Sequence, residues 1–349
     1  MTIRAARLHA AHDLRIDTLP PPAQPADDEV VVAIAAGGIC GSDLHYFHDG
    51  GFGPIRVREP IVLGHEVAGT VRAAGAAVSH VRAGDLVAIN PSQPCGACEY
   101  CRQRLFNQCL NMRFFGSAMT MPHVQGGFRE AMLVKGAQCF VLPAGIDAGE
   151  AACCEPLSVA LHAVNRVGGR LDGRSVLVMG SGPIGSLCVA AARHAGAAEI
   201  VATDLFDPPL RAAAAMGATQ TLNLRARPDA LEARAAAKGS FDVVFECTAA
   251  QAAIDTAVRV LRPRGTLVQV GVSGERQVAL NMLVAREIHW IGTHRFHEEF
   301  AQAAELIGRR TIDVRPIITG SYPLDDCLAA FDAAGDRERA VKVQLRLAH

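Results

Sequence analysis

The run Ser175-Val-Leu-Val-Met179-Gly180-Ser-Gly182-Pro183-Ile184-Gly185, followed by an alanine-rich stretch and then by Glu199-Ile-Val-Ala-Thr203-Asp204, decides the fold. Its first five residues read as a continuous apolar strand, the pattern of a strand buried on both faces. The glycines come directly after it and open a helix, where they let backbone approach a pyrophosphate. A GxGxxG by itself is weak. Between a strand and a helix, with an acid about 20 residues further on, it marks a dinucleotide-binding βαβ unit. Asp204 can accept hydrogen bonds from an adenosine ribose, and its charge repels a 2′-phosphate, so NAD is favoured, with NADP possible.

Outward from that unit the alternation continues. Strands are expected at 220–222, 241–247, 266–272 and 288–293, with helices ending at Leu261 and covering 281–286. Six strands with helices between most of them predict an α/β, doubly wound Rossmann sheet. Towards the N-terminus the pattern changes. Two short β runs over 4–17 turn at Ala11-His12-Asp13, and Pro20, Pro21, Pro22 and Pro25 impose an extended connection. A buried strand at 29–36 leads into a Gly37-Gly38 turn, and further strands are expected at 61–72 and 86–90. Helices at 298–309 and 324–335 and a last strand at 341–347 return to this β-rich part. A cofactor domain over 151–295 is thus inserted into a domain built from 1–150 and 296–349.

Within the β-rich part lie two sets of soft ligands. Cys95, Cys98, Cys101 and Cys109, in a lobe over 93–112, are spaced C-x2-C-x2-C-x7-C. Four thiolates close a tetrahedral shell, which marks a structural zinc because no position remains for substrate. An iron–sulfur site is disfavoured because the C-x3-C-P element is missing. The second set joins Gly37-Gly-Ile-Cys40-Gly-Ser42-Asp43-Leu-His45 to Gly64-His65-Glu66. Cys40 and His65 suit a catalytic zinc, which takes about three protein ligands and keeps one position open. Glu155, before a proline at a helix start, either favours the helix dipole or serves a metal.

Composition narrows the function classes. At 349 residues with a net charge of −1, the chain has room for two cores and lacks the basic footprint of a nucleic-acid or anionic-membrane binder. Small diffusible partners are favoured. No apolar run reaches a membrane span, and the first residues have no apolar export core, so a cytoplasmic protein with reduced thiols is expected despite eleven cysteines.

In their order, Gly38 to His45, Gly64-His65-Glu66, the four cysteines, Glu155-Pro156-Leu157-Ser158 and Gly180 to Gly185 resemble the zinc-dependent medium-chain dehydrogenases, over essentially the whole chain. Glu155, where a second catalytic cysteine might stand, is similar to the polyol (sorbitol) dehydrogenase branch. Asn90-Pro-Ser-Gln-Pro-Cys95, Asn111 to Ala118 and Pro122-His123-Val with Gly126-Gly127-Phe128 are more similar to the L-idonate dehydrogenases of that branch.

The resemblance implies a GroES-like catalytic domain, two zinc ions per chain, NAD and a homo-oligomer, dimer or tetramer. The reaction it implies is hydride transfer at a secondary alcohol of a sugar acid or polyol, with a threonine-type substrate as an alternative. By it, Cys40, His65 and a carboxylate, Glu66 or Glu155, hold the catalytic zinc, Ser42 and His45 relay the proton, and Asp43 orients His65. Cys247, Thr248, Val270, Gly271, Val272, Thr293 and Arg295 join the cofactor contacts, and Tyr46, Arg113, Phe115 and Arg295 face the substrate. Ser42 and Asp43 have plainer readings too, as the closure and cap of a turn.

Overall fold

The strand Ser175–Met179 lies inside a parallel sheet ordered Gln220–Asn223, Glu199–Asp204, Ser175–Met179, Phe241–Glu246, Leu261–Gln269 and His289–Gly292. The strand order reverses at Ser175–Met179, so the crevice beyond its C-terminal end is where a dinucleotide fits such a sheet. This computed structural model describes residues 2–272 and 274–347. The expected six-stranded doubly wound sheet is present.

The other large sheet is mostly antiparallel. It runs Cys139–Val141, Leu86–Ile89, Glu66–Ala74, Glu29–Gly38, Lys342–Arg346 and Ile318–Pro323, with Ala131–Lys135 also paired to Glu29–Gly38. The last two of the six come from the C-terminal end of the chain. Helix Cys154–Asn165 joins the two sheets: its Leu157 and Leu161 share one apolar core with Ala36, Ala68 and Ala88 on one side and Val176, Val178 and Leu187 on the other.

Three local features differ from the sequence expectation. Gly37 and Gly38 do not turn; they finish strand Glu29–Gly38, paired with Val67 and Glu66. Glycine is needed there for space, since a Cβ on Gly37 would lie 2.9 Å from the Phe128 ring. The chain turns instead at Ile39 and Cys40 into an unexpected helix, Gly41–Asp49, whose Tyr46 and Phe47 are buried. The expected strand at 61–72 is broken into Ile61–Val62 and Glu66–Ala74. At the break, Gly64 adopts φ +91 beside Phe128, and the next residue is His65.

The glycines of the 180–185 loop divide by what surrounds them. A Cβ on Gly185 would stand 1.7 Å from the Gly180 carbonyl oxygen, whereas one on Gly182 would meet nothing within 4 Å. Gly185→Ala should therefore cost about 1–3 kcal/mol in thermal or urea unfolding, and Gly182→Ala should be close to neutral. The opposite order would contradict this loop geometry.

Candidate active site

Cys40, His65 and Glu66 offer one ligand atom each, all within 4.8 Å of one another. The elements explain the meeting. Cys40 is the N-cap residue of helix Gly41–Asp49, where the helix dipole favours a thiolate. His65 sits at the strand break, with its ring packed on Phe114 at 5.5 Å between centroids. Asp43, fully buried, accepts from the Cys40 backbone N–H at 2.9 Å through one oxygen and from the Gly64 N–H at 3.2 Å through the other. It caps the helix and also ties the two ligand segments together. Its oxygen stands 3.8 Å from His65 Nδ1, an electrostatic neighbour and too far for a hydrogen bond.

Glu155 is buried nearby. Among the described residues no hydrogen bond reaches its carboxylate. Burial pushes its pKa up to about 8, with Glu66 and Cys40 adding to the rise and His65 opposing it. Burial, then the Glu66 charge, likewise pushes the Cys40 thiol up to about 11. Buried acids of this kind lack a cation. A residue absent from the sequence reading supplies one positive charge: Lys342 Nζ donates to both Glu66 oxygens at 2.7 Å and to the Ile39 carbonyl at 3.1 Å, and its side chain is 2 % exposed. A divalent ion fits the remaining deficit and this soft and borderline donor set.

The four cysteines of the second set also converge within 4.8 Å. Backbone N–H groups of Cys95 and Asn111 point at Cys109 Sγ, and that of Cys98 at Cys95 Sγ. Those of Ala97 and Cys98 draw the Cys95 thiol down to about 6, while burial and neighbouring thiols push Cys101 up to about 12. Four thiolates therefore need a cation in their midst, and the chemistry fits zinc. The lobe's own core is small, built on Cys101, Cys109, Met112 and Phe114. Phe114 reaches out of it: Arg295 lies over the ring at 4.0 Å while His65 packs on the same ring.

Phe114 takes the place expected of Phe115, which belongs to the N-terminal core. Alternation along Arg113–Phe114 then turns Arg113 outward to solvent, away from Cys40 and His65. Arg295 is the arginine that the fold delivers. Its backbone is held at φ +52, and Glu155 and Tyr46 are among the charges it feels. Tyr46 is buried, its hydroxyl accepting from the Ala118 N–H at 3.2 Å. The Ser42 hydroxyl bonds towards Cys40, and His45, about half exposed, pairs with Asp49 at 3.0 Å.

At the sheet crevice, Asp204 ties down the glycine loop by accepting from the Ser181 N–H at 2.8 Å, and its other oxygen accepts from Leu205 and Phe206 N–H groups. Cys247, Thr248, Val270, Gly271 and Val272 follow the C-terminal ends of the next two strands. Fully buried Glu246 pins the first of these turns through Thr248 and Ala249 N–H groups. Thr293 Oγ1 is buried with no hydrogen-bond partner among the described residues, which fits a bound polar ligand.

Residues 26–144 match the model of the alcohol dehydrogenase GroES-like domain, and residues 183–309 match that of the zinc-binding dehydrogenases. The chain belongs to the zinc-binding dehydrogenase family. It is 42% identical over 316 residues, 90% of this chain and 91% of the relative, to an L-idonate 5-dehydrogenase (NAD(P)(+)) of Escherichia coli K12. To a sorbitol dehydrogenase of Bacillus subtilis it is 35% identical, covering 95% and 93%. The crystal structure of an Escherichia coli L-idonate 5-dehydrogenase superimposes with a TM-score of 0.91, 38% identity and 99% of both chains. A Sinorhizobium meliloti protein described as a zinc-binding dehydrogenase, solved with NADP, gives 0.88 and 31%, again over 99% of both chains. This dehydrogenase is therefore an oxidoreductase, with the GroES-like and Rossmann parts, the zinc and the NAD(P) expected of it.

Two contributors to the dehydrogenase's site went unread in the sequence. Phe114 lies one position from the residue expected. Lys342 had a signal, a lone cation in the otherwise uncharged run Val341-Lys-Val-Gln-Leu345.

The raised Glu155 pKa has a measurable sign. From its ordinary 4.5 to about 8, the unfolded chain is ionised while the metal-free fold resists ionisation, so stability is lost as pH rises. In metal-free protein, Glu155→Gln should leave the thermal midpoint unchanged near about pH 5 and raise it by roughly 3 °C or more near about pH 9. The same gap at both pH values would remove the buried-carboxylate explanation.

Proposed function

We propose that this dehydrogenase oxidises a secondary hydroxyl of a sugar acid, with L-idonate to 5-keto-gluconate as the best-supported case. In that reaction the substrate carbon gives up hydride to NAD and its hydroxyl releases a proton. One observation carries the choice of an acid over a neutral polyol. Arg295, on a strained backbone, is stacked on the same Phe114 ring that touches His65, which sets a planar cation beside the donor cluster. A guanidinium fork is the usual partner for a desolvated carboxylate. The 42% identical relative, named for L-idonate, points the same way.

In this reading Cys40, His65 and Glu155 or Glu66 hold the catalytic zinc, and Cys95, Cys98, Cys101 and Cys109 hold a second, structural one. When bound, zinc would supply Lewis acidity toward the substrate hydroxyl and the dinucleotide a hydride acceptor. The chain's own groups do the rest. Ser42, beside Cys40, passes the proton outward, and His45, half exposed at the helix surface, delivers it to water. Asp43 keeps His65 facing the centre. Gly180, Gly182, Pro183, Ile184 and Gly185 cradle the dinucleotide phosphates, and Thr293 and the turns at Cys247–Thr248 and 270–272 line its nicotinamide half.

We also read the protein as a cytoplasmic homo-oligomer, dimer or tetramer. Supporting this, His289–Gly292 is an edge strand, and beside it helix Leu280–Arg286 has Leu280 and Val284 exposed at 68% and 78%. No helix among the described residues is long and apolar enough to cross a membrane.

Two experiments check this reading. The first compares initial rates on L-idonate, sorbitol, xylitol and threonine for wild type and Arg295→Met. The acid should be the best substrate, and the variant should lose about 1.5–3 kcal/mol of transition-state binding on it while sparing sorbitol. A wild type faster on sorbitol, or equal losses on both, would return the chain to a general polyol role. The second concerns Asp204. NAD should be preferred to NADP by about tenfold or more, and Asp204→Ala should erode that preference. An unchanged preference would mean that Asp204 serves only the loop.

A further inference from the structure

The stretch Ala118 to Val124, with its Pro122-His123-Val, belongs to neither donor set nor to the dinucleotide crevice. It is a tight loop. Ser117 and Val124 exchange backbone hydrogen bonds at 3.1 and 3.2 Å and close its base. Inside it His123, 4 % exposed, accepts the Arg58 N–H on Nε2 at 2.9 Å, so Nδ1 carries the proton and donates to the Thr120 carbonyl at 2.8 Å. The Ala118 N–H donates to the Tyr46 hydroxyl, and the Met119 N–H to Ser117 Oγ at 3.3 Å. The backbone on both sides of residue 119 is thereby fixed. Its side chain is nevertheless half exposed, so core packing does not account for it.

That side chain meets Arg295. An Nη2–H of the arginine donates to Met119 Sδ at 3.3 Å, while the Phe114 ring covers the guanidinium face with its centroid 4.0 Å from Cζ. The N–H bonds of a guanidinium lie in its plane, so the ring fixes that plane and the sulfur fixes the direction of the fork within it. Among the described residues no carboxylate pairs with this cation; the Glu155 charge acts on it without an ion pair. A thioether is a weak and neutral acceptor. It steers the guanidinium without neutralising it, whereas a carboxylate in the same place would take the charge that a substrate acid needs.

We propose that Met119 is a positioning residue that sets acid specificity: it orients the Arg295 fork and leaves the positive charge free for a substrate carboxylate. This rests on the reading that the substrate is a sugar acid bound by Arg295. Met119 acts through the guanidinium and takes no part in hydride or proton transfer.

The test compares steady-state rates on L-idonate and sorbitol with saturating NAD. Met119→Glu puts an anion on the guanidinium and should cut kcat/KM for L-idonate roughly 10- to 100-fold, mostly through KM, with a far smaller fall on sorbitol. Met119→Gln has the same shape without the charge and should recover to within about threefold of wild type on L-idonate. Met119→Leu keeps the bulk and removes the acceptor; the KM for L-idonate should rise about threefold at unchanged kcat, and that for sorbitol should stay. Equal falls on both substrates in Met119→Glu, or no fall, would overturn the proposal. If Met119→Glu does not fold, Met119→Leu decides, and an unmoved KM for L-idonate or an equal rise for sorbitol overturns it. Arg295→Met tells two failures apart. Equal losses on both substrates there sink the sugar-acid reading and this inference with it, whereas a selective loss there beside an unselective Met119→Glu sinks this inference alone.

Discussion

Burial of charge at the Cys40–His65 centre is the constraint to which the rest of the structure answers. Three carboxylates, Asp43, Glu66 and Glu155, and the Lys342 ammonium are taken out of water beside the half-buried Cys40 thiol, where strand ends and a helix start converge. Isolated burial of any of them would cost several kcal/mol, so the site is stable only as a charge-balanced set. Each surrounding element contributes to that balance. The helix beginning after Cys40 offers its positive end, Gly38 and Gly64 supply room, and the C-terminal strand returns across the molecule to bring Lys342.

The four-cysteine lobe is part of the same device and not merely an appendage. Its Phe114 is a core residue of the lobe, a wall for His65 and a platform for Arg295. Asn107 holds the His294 carbonyl at 2.9 Å, and the Phe106 ring lies 4.2 Å from that of His297. The lobe thus grips the segment that follows the last cofactor-domain strand on both sides of Arg295. A metal in the lobe would order a structure with little core of its own, and through these contacts that order would reach Arg295.

Where local chemistry alone sets the outcome, the sequence was legible. The glycine loop between an apolar strand and a helix, the acid at the end of the next strand and the cysteine spacing each carry their meaning within a few residues. Features that depend on distant partners were not legible in the same way. Gly37 and Gly38 resemble a turn until Phe128 and Glu66 are seen beside them, and the helix after Cys40 is hidden by its glycine-rich start. Arg113 and Arg295 look equally suited to a carboxylate. Pleat alternation turns one to solvent, and the lobe carries the other inward. Lys342 lies 276 positions from Glu66 in the chain, and only the antiparallel return of the last strand makes them a pair.

The account stands or falls on two buried donor sets built around cations. Elemental analysis of protein purified without chelator tests this most directly. It predicts two zinc ions per chain in wild type, and one in each of Cys40→Ser and Cys98→Ser, because each substitution opens a different shell. One zinc or none in wild type, or two retained in Cys40→Ser, would contradict it.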